Sequence, residues 1–440
     1  MKTLLKLIAA AWLAVAAAAA QEETVQVRLQ QGVIEGARSE AAGGRFFYTF
    51  RSIPFAKPPV GELRFKVEPR GSRDMAGGEK WLLVAPNCPQ SIIRTGVPTH
   101  KGVRIVFTTV YTTGRCKPHE SALPVMVWLH GGGFAGTSED YPALPLLTKD
   151  VVLVTVQYRL GTLGFFSTED SEALGNFGLR DQALALRWVQ DNIRSLGGDP
   201  NTCGLFQRAI MQSGTTLCPW MVREGHKQVA TKMSEIFNCS AVDENSSSSL
   251  DSAALVACLR DVPLDKLIVE TLAYEAEDLP FDKRALAGKC PPEISATRPK
   301  ILEMPLLGIL SHSRPGIRRH SGLYLSNGPQ VMVPRVDGEF VPDHPAVLLR
   351  EGRFNKVDII SGVTQHEGAL ASIPYLANPP ALDCLYQHFG ENGPVSFGIE
   401  AWEDDPEYLA RRAFHHYLGP LEVTEEKANE FTQDISLSAK

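Results

Sequence analysis

Leu123-Pro-Val-Met-Val-Trp-Leu-His-Gly-Gly-Gly-Phe134 joins an apolar run to a histidine and three consecutive glycines. Val125 to Leu129 reads as a buried strand that runs straight into the glycines. Three glycines give up backbone entropy and add no side-chain packing. Such a run is useful where bare backbone N–H groups must closely approach a bound atom. In acyl transfer that atom is the negative oxygen of a tetrahedral intermediate, held by preorganised N–H donors. Gly131, Gly132 and Gly133 are therefore candidate oxyanion donors. The plain alternative is a flexible glycine turn after a core strand.

The rest of the chain must build a scaffold around that loop. At 440 residues and 44% hydrophobic content it is long enough to bury a large core, as one large α/β domain or as two or three smaller ones. The net charge of -6 lacks the basic excess that nucleic-acid binding usually brings, so no nucleic-acid partner is expected. Lys2 and Lys6 precede an apolar run from Leu7 to Ala20, and small residues stand before Gln21. The run is short for a membrane span and reads as a secretory signal peptide over residues 1–20. Export makes the eight cysteines (88, 116, 203, 218, 239, 258, 290 and 384) disulfide candidates. Asn238 and Asn245 stand in glycosylation sequons, which would place that segment on an extracellular surface.

Val25-Gln-Val-Arg-Leu29 and Gly32-Val-Ile-Glu-Gly36 alternate as hairpin strands do. The Pro-punctuated loop from Phe50 to Phe65 follows. It closely resembles the N-terminal signature of the type-B carboxylesterase/cholinesterase family. His130 with its three glycines is similar to the oxyanion motif of esterase-type α/β-hydrolases. Cys88 stands where that family begins a disulfide-closed loop, but the partner cysteine expected before the next strand is missing. No aromatic residue lies between Trp81 and Phe107, where the cholinesterase branch holds quaternary ammonium groups by cation–π attraction. That departure argues against choline esters.

Val151 to Tyr158 is apolar and β-branched, as in a parallel strand covered on both faces. Asn176 to Ile193 has helical apolar spacing, with Leu184, Trp188 and Ile193 near one face. Ser195-Leu-Gly-Gly-Asp-Pro-Asn201 ends that helix. The resemblance then requires a strand, a Gly-x-Ser-x-Gly elbow and a helix. The chain passes instead through Cys203-Gly204 to Leu205-Phe206 and Ser213-Gly214, which resemble the segment beyond that helix. No Gly-x-Ser-x-Gly occurs anywhere. Ser213, with Met211 and Thr215 at the positions that demand glycine, reads as a strand-end serine.

Pro219 to Leu279 looks helical and surface-like. Cys239 and Cys258 flank its serine-rich part and resemble a second family disulfide. Lys283 to Gln330 is Pro/Gly-rich, basic and without periodicity, and reads as an insertion. Beyond it, Val357 to Gly368 combines a strand with the family's acid motif, which makes Glu367 the implied triad acid. A solvated loop glutamate is the alternative. Neither His388 nor the adjacent His415 and His416 has the context of the implied base. Adjacent histidines on a helix point apart, so no metal site is expected there.

The resemblance implies an α/β-hydrolase over residues 21–440, with a mostly parallel central sheet flanked by helices, incomplete at the elbow, and with an irregular insertion at about 283–330. It implies a secreted hydrolase of carboxylic esters that takes a small-molecule ester and needs no cofactor. No membrane span is expected. Without serine and base, the chain is expected to be inactive as written. A non-catalytic binding or adhesion relative, and a truncated or mis-spliced product, are the other readings.

Overall fold

A computed structural model describes residues 23–41, 43–66, 106–113, 122–134, 143–201, 204–218, 221–239, 250–277, 332–365, 379–396 and 404–418. The signal segment, Cys88, Asn245, the 283–330 stretch and Glu367 lie outside those residues.

Strands β1 (Thr24–Leu29) and β2 (Gly32–Ala41) form the expected hairpin, and β3 (Arg45–Pro54) continues it. Strands β4 (Phe107–Thr112), β5 (Val125–Leu129) and β6 (Val152–Val156) complete a six-stranded sheet of order β1-β2-β3-β4-β6-β5. The expectation of a mostly parallel sheet is corrected. Pairings β1–β2, β2–β3, β3–β4 and β4–β6 are antiparallel, and β5–β6 alone in this sheet is parallel. Short connections join β1 to β2 and β2 to β3, which permits only antiparallel neighbours there, whereas β4 pairs antiparallel with β3 and β6 across much longer stretches of chain.

A second parallel pair, β7 (Arg208–Gln212) with β8 (Asp358–Gly362), forms its own two-stranded sheet. Two strands bury little on their own, and β8 is exposed along its whole length. Ile210, Ile359 and Ile360 are 56%, 51% and 69% exposed. Strand β5 also departs from the sequence reading. It is only half-buried, and Leu129 is exposed, because β5 ends the sheet instead of lying inside it.

Helix α1 (Gly161–Phe165) and the long α2 (Phe177–Asn192) follow β6. Trp188, Val189, Ile193 and Leu196 cover one sheet face, packing on Phe50, Val110, Val152 and Val154. Phe47, Leu147 and Leu153 form a smaller cluster apart from it. α1 and α2 meet closely: a Cβ on Gly164 or Gly178 would lie 2.3 Å from the Arg159 carbonyl oxygen. That contact seats Arg159 over Asp181, both buried, with two guanidinium bonds of 2.7 Å and a backbone bond of 3.0 Å.

Helices α3 (His226–Ile236), α4 (Ser252–Asp261) and α5 (Leu264–Glu277) follow β7. The sequence reading of this section as surface-like is also corrected. Met233, Leu255, Val256, Leu259 and Leu267 are fully buried against Phe65, Phe165, Phe166 and Phe177. Their apolar stripes are short and interleaved with charges, so the second core they share is visible only after folding. Helices α6 (Pro345–Arg350), α7 (Pro379–Gln387), α8 (Phe389–Ser396) and α9 (Pro406–Leu418) complete the described chain.

Candidate functional site

The site grows from the C-terminal ends of two parallel neighbours. Leu129 pairs with Val156, which brings the residues just beyond β5 and β6 side by side. His130 is buried there under Tyr158. The two rings stack with centroids 4.5 Å apart and 15° between planes, and the Tyr158 hydroxyl donates to the His130 carbonyl at 2.7 Å. His130 Nδ1 lies 2.9 Å from the Gly131 carbonyl oxygen. A carbonyl only accepts, so Nδ1 carries the proton and Nε2 keeps a lone pair, buried and without a partner among the described residues. Burial holds the imidazole below the usual histidine range, against the opposing effect of the Gly131 carbonyl. His130 is thus a neutral brace that fixes the first peptide of the loop.

Beyond it the backbone turns left-handed. Gly132 has φ 117°, Gly133 φ 58° and Phe134 φ 65°. Glycine takes such angles without steric cost, whereas Phe134 must be held in place. Its ring packs edge-on to Phe165 at 4.9 Å, and its carbonyl accepts the Gly161 N–H at 2.7 Å. Gly131, Gly132 and Gly133 are exposed, and their N–H groups donate no hydrogen bond among the described residues. Consecutive free N–H groups in such a turn form an anion-binding concavity. The structure therefore leaves these three glycine N–H groups exposed at the end of β5.

The chain leaves α2 through Gly197 and Gly198, where Leu123 and Gly198 form a parallel bridge. It then reaches β7 at Arg208 without an intervening strand among the described residues. Ser213 directly follows β7 with φ 58°, and its N–H donates to the Gly362 carbonyl at 2.8 Å, extending the β7–β8 ladder. Its hydroxyl makes no hydrogen bond among the described residues, so nothing there activates it. Glu367 lies two residues past the last described residue after β8, and the structure does not place it. His415 and His416 are exposed on α9.

Away from the loop, Cys239 and Cys258 are joined in a disulfide that ties the end of α3 to α4. Cys384 is also disulfide-bonded, whereas Cys218 is free and buried, so not every cysteine of the chain is paired. Asn238 is exposed beside that first disulfide. No group of three or more metal-binding side chains occurs among the described residues, and no described helix is long and apolar enough to cross a membrane. Sequence reasoning missed Tyr158. The signal that finds it is the β5–β6 register, because it lies at the end of the strand beside His130.

The model of the carboxylesterase family matches residues 22–203, 201–286 and 309–438. The first two matches meet at 201–203, and the interval before the third falls in the Pro/Gly-rich stretch. The chain is 33% identical over 356 residues to acylcarnitine hydrolase of Mus musculus, covering 73% of this chain and 52% of the relative. It is 30% identical over 370 residues to carboxylesterase 1E of Mus musculus, covering 76% and 57%. It is 35% identical over 255 residues to pyrethroid hydrolase Ces2e of Rattus norvegicus, covering 50% and 43%. The chain spans about half the length of the curated relatives it matches.

Proposed function

The chain belongs to the carboxylesterase family, and from that premise we propose that it carries the oxyanion half of an ester-hydrolysis site without the serine that would use it. The observation that carries this reading is the exposed run of Gly131, Gly132 and Gly133, whose N–H groups donate no hydrogen bond among the described residues, in a chain that goes from Gly198 to Arg208 with no Gly-x-Ser-x-Gly. In the family mechanism a serine attacks the ester carbonyl and histidine takes its proton, then returns it to the leaving alcohol. Glu367 would orient that histidine, and the loop N–H groups would hold the oxyanion. With the nucleophile missing, an oxyanion loop and binding surface leave at most ~10³–10⁴-fold acceleration over water.

Secretion belongs to the same reading. It is supported by the apolar run before Gln21, by the disulfides, and by the sequons at Asn238 and Asn245. A complete form that restores the strand and elbow between Asp199 and Arg208 would take a small-molecule carboxylic ester. The meeting of two family matches at 201–203 favours a shortened product over a relative that merely exchanged its serine. Turnover of p-nitrophenyl acetate by the purified chain tests the reading. The expected rate is that of the protein-free background; saturable, stoichiometric turnover with an acyl-serine intermediate would refute it.

A further inference from the structure

We propose that His226 is a pH-sensitive latch, whose protonation releases the strap formed by residues 332–335 while the rest of the fold stays in place.

The strap is clasped from two sides. At the start of α3, His226 Nε2 lies 3.0 Å from the Val333 carbonyl oxygen. Just ahead of that helix, the Arg223 N–H donates to the Pro334 carbonyl at 3.0 Å. On the other side, Asn176 holds both backbone groups of Arg335: its Nδ2 donates to the carbonyl at 2.8 Å, and its Oδ1 accepts the N–H at 3.0 Å. Met332 and Val333 are buried beneath these bonds. Downstream the chain is pinned separately, because the Asp337 carboxylate accepts the N–H groups of Glu339, Phe340 and Val341 and pairs with Arg180 at 3.3 Å. Helix α3 keeps its own hold through Val229, Ala230 and Met233, all in the second core. Of the groups that clasp the strap, the His226 ring alone changes charge near neutral pH.

The geometry fixes what a second proton does. A carbonyl only accepts, so Nε2 carries the proton of the neutral ring and Nδ1 keeps a lone pair. Nδ1 is buried and has no hydrogen-bond partner among the described residues. Protonation therefore puts an N–H with no acceptor in place on a residue that is 1% exposed. Burial opposes that charge most, and the Val333 carbonyl favours it. Arg335 on the strap and Arg223 ahead of α3 repel a positive ring, whereas Glu169, from the loop after α1, attracts it. Lys227, the next residue of α3, acts on Asp170 of that loop. Two cations against one anion leave the imidazolium disfavoured inside the clasp. An opened strap gives the ring to water, where it titrates near ~6.5. Opening is therefore favoured as pH falls below ~6.5, until the ring titrates in the closed form as well.

The test is residue-resolved hydrogen exchange on the full chain, corrected for the intrinsic pH dependence of amide exchange. The Arg335 and Arg223 amides donate across the clasp and report its opening. Their opening constant should rise about eightfold between pH ~7 and ~5.5, the ratio for a ring that titrates near ~6.5 when open and not at all when closed. Low urea should leave that opening unchanged, because little surface is exposed, while it speeds exchange of the β6 amides. His226→Gln keeps an N–H for the Val333 carbonyl and cannot titrate, so it should flatten the pH dependence. Glu169→Gln removes the one attracting carboxylate; the rise should start at the same pH and continue to lower pH. Should His226→Gln not fold, the His226 ring resonances of the parent serve instead, and they should titrate in step with the two amides.

A pH-independent opening would overturn the latch. So would a rise that persists in His226→Gln, ring resonances that titrate apart from the amides, or an opening as sensitive to urea as that of β6.

Discussion

The Tyr158 hydroxyl donates to the His130 carbonyl at 2.7 Å while the two rings stack 4.5 Å apart. This pair anchors the root of the glycine loop to the end of β6, so the donors of Gly131 to Gly133 start from a fixed point. Tyr158→Phe keeps the ring stack and leaves the buried carbonyl without this donor. The expected cost is about 1–2 kcal/mol of unfolding free energy, read from urea denaturation. An unchanged midpoint would show that the clamp contributes nothing.

Asp181 is the acceptor for both the side chain and the backbone N–H of Arg159. Side-chain exposures of 4% and 5% put this pair among buried ion pairs, where losing one partner strands the other charge. Asp181→Ala should therefore cost roughly 3–5 kcal/mol. Denaturant titration checks this, and a loss under about 1 kcal/mol would place the pair with surface salt bridges.

Acid should weaken the fold through two buried imidazoles. Burial lowers His130 and His226 below their ordinary value, and Arg335 and Arg223 near His226 add to its shift, against Glu169 and the Val333 carbonyl. The unfolded chain binds these protons near pH ~6.5, whereas the folded chain resists them to lower pH. Stability from this source is full above pH ~6.5 and is lost as pH falls from there through the lowered folded values. His226→Gln keeps an N–H to reach Val333 and removes one titrating group. Its stability should fall less steeply between pH ~6.5 and 5 than that of the parent in the same thermal melts.

The disulfide Cys239–Cys258 closes a loop with a sequence separation of 19. Chain-entropy arguments assign such a loop about 3 kcal/mol. Cys258→Ser should lower the thermal midpoint, Cys239→Ser should lower it equally, and the double variant should lower it no further. Equal midpoints for the parent and either single variant would contradict this.

The glycine loop, the hairpin and the long helix after β6 were all legible in the sequence, because each rests on local spacing or on a motif of fixed length. Sheet direction was not. The parallel expectation came from the family, whereas β1 to β3 are joined by short antiparallel turns and β4 pairs antiparallel on both sides, with β3 and β6. Nor was the exposure of β5, which has the composition of a central strand and ends the sheet among the described residues. The burial of α3 to α5 also escaped the sequence, since Met233, Leu255 and Leu259 find their partners in Phe165 and Phe177, far along the chain. Ser213 shows the reverse case. Its left-handed φ of 58° is elbow-like, yet its flanking residues and idle hydroxyl agree with a strand-end serine.

The central claim is an oxyanion loop with no serine to serve it. The most direct measurement is labelling of the purified 440-residue chain with a fluorophosphonate probe, followed by peptide mass spectrometry. No serine adduct above the level of the heat-denatured chain is expected. Stoichiometric labelling of one serine, Ser213 included, with ester turnover lost when that serine is replaced by alanine, would contradict the account.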